Sequence, residues 1–179
     1  MVYILLAPGF EEMEALVPAD LLRRAGLNTA LVSLEGEYVP GGRNIVVKAD
    51  MELAQVSLED MELLMLPGGG VGVANLGNDP RVEALVKRAA ACGKPLSAIC
   101  AAPSLLSKWG LLEGKNAVCY PTWADKIPDA NFLPGEKLAV DGNTVTGQAA
   151  GASFEFGLKL IEVLAGAETA QRVRKEIYL

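Results

Sequence analysis

Short apolar runs alternate along the chain with longer segments whose apolar residues recur every three or four positions. Short runs predict buried β-strands, and the longer period is typical of helices with one apolar face. We assign strands to residues 2–7, 29–34, 63–66, 96–99 and 117–120. We assign helices to residues 12–25, 71–76, 81–92, 153–164 and 168–177, with a further helix that begins near Pro103.

Two segments depart from this alternation. Residues 38–49, which Pro40-Gly41-Gly42 interrupts, predict a short antiparallel excursion. Residues 137–140 and 144–146 predict a hairpin over Asp141-Gly142-Asn143. The whole pattern predicts an α/β fold in which helices cover both faces of a mostly parallel sheet.

The helical periods also predict which side chains face the core. The first helix should bury Met13, Leu16, Val17, Leu21 and Leu22. The C-terminal segment should bury Phe154, Leu158 and Ile161.

The composition is that of a globular chain, and we expect one domain over residues 1–179. Hydrophobic residues make up 51% of the chain and charged residues 21%. A net charge of −6 without any basic run argues against strong nucleic-acid binding, although it does not exclude a nucleotide as a small substrate. The apolar start is too short for a membrane span and lacks the basic stretch of a signal peptide. Three cysteines, an odd number, argue against a disulfide framework, so we expect a reduced cytoplasmic protein.

The chain contains no histidine. A Cys-His or Ser-His catalytic pair and a histidine metal site are therefore excluded within one chain. The usual histidine base must be replaced by a carboxylate, or no general base is used, and we expect chemistry without a metal or a cofactor.

Cys100 carries the strongest indication of chemistry. It lies between the strand at 96–99 and the helix that begins near Pro103, and its neighbours Ala98, Ala101 and Ala102 are small. This is the arrangement of a nucleophile elbow, in which a sharp turn exposes one reactive side chain. The following helix N-terminus should favour the thiolate and lower the pKa of Cys100. The alternative is a small buried apolar residue, which is how we interpret Cys92 and Cys119.

A glycine run follows the strand at 63–66. Gly68, Gly69 and Gly70 could form a flexible turn, or could let backbone N–H groups approach an anion or oxyanion. The run lacks the lysine of a P-loop and the spacing of a dinucleotide fingerprint, so we reject both. Weaker candidates for ligand contacts are Arg43, Trp123, Asp125 and Lys126.

Three glutamates, Glu11, Glu12 and Glu14, open the first helix. A favourable interaction with the helix dipole is sufficient to explain Glu11 and Glu12. Glu14 lies further into the helix and could point toward Cys100, where partial burial would raise its pKa and keep it protonated. The residues alone do not select one of the three.

The chain resembles the ThiJ/PfpI superfamily, and within it the branch of the Parkinsonism-associated protein deglycase and its bacterial relatives. The resemblance rests on the elbow at 98–103, on Leu66-Pro67-Gly68-Gly69 and on Gly9-Phe10-Glu11-Glu12-Met13-Glu14, and it runs nearly end to end. Further matching segments are Arg23-Arg24-Ala25-Gly26, Asp125-Lys126-Ile127-Pro128 and Ser153-Phe154-Glu155-Phe156-Gly157.

The resemblance implies a flavodoxin-like three-layer sandwich that forms a homodimer. It implies that Cys100 is the reactive, oxidation-prone cysteine, that Glu14 contacts it, and that the backbone N–H groups of Gly69 and Ala101 line an oxyanion pocket. Gly68, Tyr120 and Pro121 would belong to the pocket. Some members carry histidine at the position of Tyr120, which changes the proton relay.

The resemblance further implies cysteine-dependent deglycation and cofactor-independent glyoxalase activity on methylglyoxal, glyoxal and their early adducts. The alternative is a redox-sensing holdase chaperone of the oxidative-stress response, in which Cys100 is oxidised to sulfinate. Amidotransferase chemistry of the class I glutamine type is a third hypothesis, which the absence of histidine disfavours. Ala101 stands where the protease-like branch has histidine, which argues against peptidase activity.

Overall fold

A seven-stranded sheet forms the centre of the fold in the computed structural model, which describes residues 1–179. In spatial order its strands are β10 (Leu138–Asp141), β11 (Thr144–Gly147), β7 (Leu96–Ile99), β6 (Leu63–Leu66), β1 (Val2–Leu6), β2 (Thr29–Ser33) and β5 (Met51–Glu52). Strand β10 is antiparallel to β11, and every other pair in the sheet is parallel. The predicted strands at the centre of the sheet are therefore confirmed.

Five α-helices flank the sheet: α1 (Glu12–Arg24), α2 (Gly70–Asn78), α3 (Pro80–Ala91), α4 (Pro103–Lys108) and α5 (Ser153–Glu176). The predicted excursion is an antiparallel pair of β3 (Tyr38–Pro40) and β4 (Val46–Lys48). A second small sheet joins β8 (Asn116–Ala117) to β9 (Asn131–Phe132). No helix is both long and apolar enough to cross a membrane.

Each face of the sheet has its own apolar core. Tyr3 and Leu5 of β1 pack into a cluster of 25 buried residues that also holds side chains of α2, α3 and α4. Val2 and Ile4 point the other way, into a cluster of 20 buried residues shared with α1 and α5. Because successive strand residues face opposite sides, both faces need a helical cover. The predicted flavodoxin-like α/β sandwich is confirmed.

The strand predicted at 117–120 is wrong beyond Ala117. The Val118 N–H donates to Thr146 Oγ1 at 2.9 Å, and the Tyr120 N–H donates to the Cys100 carbonyl at 2.7 Å. These backbone groups therefore bind a side chain of β11 and the backbone of the elbow instead of the backbone of a neighbouring strand. Residues Pro121–Lys126 then form a 3₁₀ helix.

The predicted apolar face of α1 is only partly correct. Leu21 and Leu22 are buried, but Met13 is 48% exposed, and the buried residues of the first turns include Glu12 and Glu14. The helix is therefore rotated so that two acids face inward near its start. Such a placement is unfavourable for packing alone and points to a function for at least one of these acids.

The C-terminal helical segment is continuous from Ser153 to Glu176 except at Gly166, whose φ of 86° breaks the helical geometry. This break separates the two predicted helices. Phe154 is 41% exposed, contrary to the prediction, and Phe156 takes its place in the core beside Leu158 and Ile161.

Candidate active site

Cys100 forms the bend between β7 and α4, as the elbow predicts. Its φ of 64° lies in the left-handed region, which costs a residue with a side chain roughly 1–2 kcal/mol. The bend is held from both sides, because the Cys100 N–H donates to the Gly147 carbonyl at 2.9 Å and the Cys100 carbonyl accepts from Tyr120. The structure thus maintains a strained residue at the end of a central strand, which is typical of functional sites.

Gly68 makes room for the side chains that meet at this bend. A Cβ on Gly68 would lie 2.3 Å from Glu14 Oε2 and 2.6 Å from the Cys100 Cβ. Its N–H donates to Glu14 Oε2 at 2.9 Å. The absence of a side chain at residue 68 is therefore what allows Glu14 and Cys100 to approach each other.

Gly69 and Ala101 direct their backbone N–H groups at the Cys100 sulfur. Gly69 has a φ of 89°, and a Cβ there would lie 2.5 Å from the Gly9 carbonyl oxygen. Ala101 follows the cysteine directly and is buried. The glycine run is therefore not a flexible turn, since it presses against the loop after β1 and presents a donor to the sulfur.

Glu14 is the glutamate that reaches Cys100, and it is 1% exposed. Burial raises the pKa of Glu14 to about 7, and the charge of Glu11 adds to this rise. Hydrogen bonds from Cys100, from the Gly68 N–H and from the Ala150 N–H act in the opposite direction. The predicted upward shift is confirmed in direction, and the carboxyl changes charge near neutral pH.

The predicted lowering of the Cys100 pKa is wrong. Burial raises the pKa of the Cys100 thiol to about 12, and the negative charge of Glu14 and the hydrogen bond to it act in the same direction. The N–H groups of Gly69 and Ala101 lower this pKa but are outweighed. The helix that follows has only six residues. Near neutral pH the thiol therefore keeps its proton beside a carboxylate that can accept it.

Glu11 and Glu12 have different environments. Glu11 is the N-cap of α1, where its carboxylate accepts the Glu14 N–H at 2.8 Å. Glu12 is 5% exposed, and its Oε1 accepts the Arg43 N–H at 2.6 Å while its Oε2 has no partner. A favourable interaction with the start of helix α1 is therefore sufficient to explain Glu11. It does not fully explain Glu12, whose hydrogen bond with the Arg43 N–H also links the β3–β4 segment to α1.

Tyr120 and Pro121 lie next to the elbow but contribute through the backbone. The Tyr120 side chain is 42% exposed and its hydroxyl makes no hydrogen bond, whereas its N–H binds the Cys100 carbonyl. Pro121 begins the 3₁₀ helix that contains the weaker candidates Trp123, Asp125 and Lys126.

The other two cysteines are distinct from Cys100. Cys92 is exposed at the end of α3. Cys119 is buried in the core, and burial together with the charge of Asp125 raises its pKa to about 11. Neither has a carboxyl partner at hydrogen-bond distance.

Two contributors to the site escaped the sequence analysis. The Gly147 carbonyl holds the Cys100 backbone, and the Ala150 N–H is directed at Glu14. Gly147 ends β11, the neighbour of β7 in the sheet, and Ala150 follows it. Only the strand order brings them to the site, and their residue types give no signal of it. No group of three or more metal-binding side chains is assembled anywhere in the chain.

Sequence comparison finds similar proteins over nearly the whole chain. The sequence model of the DJ-1/PfpI family matches residues 1–163. Protein dj-1beta of Drosophila melanogaster is 37% identical over 174 residues, which are 96% of this chain and 93% of that protein. The protein named glutathione-independent glyoxalase DJR-1.2 of Caenorhabditis elegans is 29% identical over 98% of this chain and 95% of its own length.

Solved structures give the same result. The crystal structure of Drosophila melanogaster DJ-1beta superposes with a TM-score of 0.95 at 36% identity, covering 99% of this chain and 97% of that one. The oxidised form of Toxoplasma gondii DJ-1 superposes with a TM-score of 0.93 at 34% identity, with 99% and 97% coverage.

Proposed function

This chain belongs to the DJ-1/PfpI family, and from that premise we propose that it is a cysteine-dependent glyoxalase and deglycase acting on methylglyoxal, glyoxal and their early adducts. The observation that carries the proposal is the convergence of the Glu14 carboxyl and the Gly69 and Ala101 N–H groups on the Cys100 sulfur. The worm relative that is named as a glutathione-independent glyoxalase supports dicarbonyl substrates.

The first step is addition of the Cys100 sulfur to the aldehyde carbon of methylglyoxal. The Glu14 carboxylate removes the thiol proton as the carbon–sulfur bond forms, because a base with a pKa of about 7 suits transfer near neutral pH. The N–H groups of Gly69 and Ala101 stabilise the negative charge that develops on oxygen. Protonation of that oxygen gives a hemithioacetal.

The second step is an internal redox reaction that needs no external oxidant. Glu14 removes the proton from the former aldehyde carbon and returns a proton to the neighbouring carbon through an ene-diol. The first carbon is thereby oxidised to a thioester and the second is reduced to an alcohol. Water cleaves the thioester, which releases lactate and restores the thiol, so the sum is methylglyoxal plus water to lactate.

Early adducts enter the same sequence. In an aminocarbinol, the carbon–nitrogen bond breaks as sulfur takes the place of the amine, and the amine leaves with one proton. The product on the enzyme is the same hemithioacetal. Deglycation and glyoxalase activity therefore share Cys100 and Glu14 as catalytic residues.

The test is lactate production from methylglyoxal by purified wild type and by Cys100→Ala. We expect lactate from the wild type and none above background from the variant. Cys92→Ala is the matched control, because Cys92 is exposed and lies outside the site. Lactate production that survives Cys100→Ala would disprove this mechanism.

A second candidate function is redox sensing with holdase activity. It is favoured by the partial exposure of Cys100 and by the Glu14 carboxyl beside it, which could hydrogen-bond a sulfinate. The solved Toxoplasma gondii relative is an oxidised form. Because the pKa of Cys100 is raised, this function requires the Glu14 carboxylate to accept the thiol proton as the sulfur reacts with peroxide. Mild peroxide should then add two oxygens to Cys100 before Cys92 or Cys119 is modified, and uniform oxidation of all three would contradict this function.

The homodimer and the cytoplasmic location that the sequence analysis expects belong to the same proposal. Light scattering on purified protein tests the dimer, for which a mass of one chain is the contradicting result.

A further inference from the structure

A second cavity lies away from the cysteine site, at the carboxyl ends of β1 and β2. Its volume is about 610 Å³, which is within the range of small-molecule sites. Pro8, Leu34 and Pro80 supply an aliphatic surface, and no residue of the Cys100 site lines the cavity. The cavity is therefore independent of the proposed glyoxalase chemistry.

The topology places this cavity where doubly wound sheets hold a nucleoside. Strand β1 lies between β2 and β6 in the sheet. Glu35 comes from the segment after β2, and Asn75 and Asn78 come from α2, which follows β6. In dinucleotide-binding folds the acidic residue that follows the second strand hydrogen-bonds a ribose hydroxyl. Glu35 has that position here.

The side chains around the cavity leave hydrogen-bonding atoms free. Asn75 and Asn78 are three residues apart on α2 and share one face. Asn75 Nδ2 donates to the Pro8 carbonyl at 2.8 Å, whereas the Asn78 amide has no partner in the chain. An asparagine amide offers a donor and an acceptor side by side, which complements the N6 and N7 edge of adenine. Tyr38, 61% exposed at the rim, offers a ring face for stacking.

The charges disfavour a phosphorylated ligand. Arg81 is the one cation of the cavity, and it is paired with Asp79 at 2.6 Å and with Glu35 at 3.3 Å. The start of α1, where such folds bind pyrophosphate, carries Glu11 and Glu12 instead of a glycine-rich turn. A phosphate group would thus lie near Asp79 and Glu35 in the cavity, or near Glu11 and Glu12 at the start of α1.

We propose that this cavity binds a purine nucleoside without phosphates, of the adenosine type. The base packs between the aliphatic surface and Tyr38, and its N6 and N7 edge pairs with Asn78. A ribose hydroxyl donates to Glu35. The Glu35–Arg81 pair is exposed, so its rearrangement on entry costs little.

The test is titration of ¹⁵N-labelled protein with adenosine, followed by amide chemical shifts. We expect saturable shifts confined to residues 34–39 and 75–81, with a Kd below about 1 mM, and the same result for Cys100→Ala. AMP should bind about tenfold more weakly, because its phosphate meets the acidic groups. Ribose alone should cause no saturable chemical-shift changes.

Variants separate recognition from loss of structure. Asn78→Ala and Asn78→Asp should each weaken adenosine binding about tenfold, since both remove the amide donor. Asn116→Ala, at an exposed asparagine outside the cavity, should not change it. Shifts that do not saturate, shifts centred on Cys100, or AMP binding as tight as adenosine would overturn the proposal, as would equal effects of the Asn78 and Asn116 variants.

Discussion

The Glu14 carboxyl and the Cys100 side chain converge on Gly68, where a Cβ would lie 2.3 Å from Glu14 Oε2 and 2.6 Å from the Cys100 Cβ. One residue comes from the first turns of α1 and the other from the end of β7, 86 positions later in the chain. Each perturbs the other, because an ionised carboxylate opposes ionisation of the thiol. The ionisation of each group therefore depends on the charge of the other.

Replacement of Gly68 by alanine should separate this pair. The added Cβ would overlap Glu14 Oε2 and the Cys100 Cβ, so we expect a loss of roughly 1–3 kcal/mol in the free energy of unfolding and at least a tenfold loss of glyoxalase activity. Urea denaturation and the lactate assay measure the two effects. Gly70→Ala is the matched control, because a Cβ on Gly70 meets nothing within 4 Å.

Glu14 variants should separate proton transfer from folding. Glu14→Gln keeps the size of the side chain but cannot accept the thiol proton, so kcat/KM for methylglyoxal should fall by about 10²–10⁴. Glu14→Asp keeps the carboxylate on a side chain that is one methylene shorter, so it should retain part of the activity. Equal activity of wild type and Glu14→Gln would exclude Glu14 as the base.

The pH dependence of kcat/KM should follow the charge of Glu14. Its pKa is raised to about 7, so the carboxyl is protonated below that value and cannot serve as the base. Activity should therefore fall as the pH is lowered through about 7, with one proton taken up. A profile that stays flat from pH 5 to 8 would contradict this mechanism.

The same pKa shift should appear in stability. The pKa of Glu14 rises from 4.5 when unfolded to about 7 when folded, so the folded state retains a proton that the unfolded state releases. The contribution of protonated Glu14 to the free energy of unfolding is fully present below pH 4.5. It is lost as the pH rises through about 7, and the total loss is about 3 kcal/mol.

Denaturation of wild type and Glu14→Gln between pH 4.5 and 8 measures this contribution. The glutamine variant has no such titration, so its free energy of unfolding should rise relative to that of the wild type as the pH increases. If the difference in the free energy of unfolding between the two proteins is independent of pH, Glu14 is not the titrating group.

Tyr120→Phe should leave the activity within about twofold of wild type. The Tyr120 hydroxyl makes no hydrogen bond, and the contact with the elbow is made by the backbone N–H. Steady-state lactate production measures this directly. A loss greater than tenfold would give the phenolic hydroxyl a place in the proton relay.

Several features of the site were predictable because their physical causes are local. The small residues around Cys100 and the glycine run after β6 mark turns that need little side-chain volume, and both lie where they were expected. The rotation of α1 was not predictable from its apolar period, since Glu12 and Glu14 are buried where Met13 was expected. Burial of an acid depends on partners from other elements, which a local pattern does not contain.

The sequence by itself determined the alternation of strands and helices, the elbow at Cys100 and the exclusion of a histidine base. Only the tertiary structure decided that Glu14 is the partner of Cys100, that Gly147 and Ala150 support the pair, and that burial raises both pKa values. The reason is that local propensity and volume act between neighbours in the chain. Desolvation and charge–charge interaction act between neighbours in space, and the order of the parallel strands sets which residues those are.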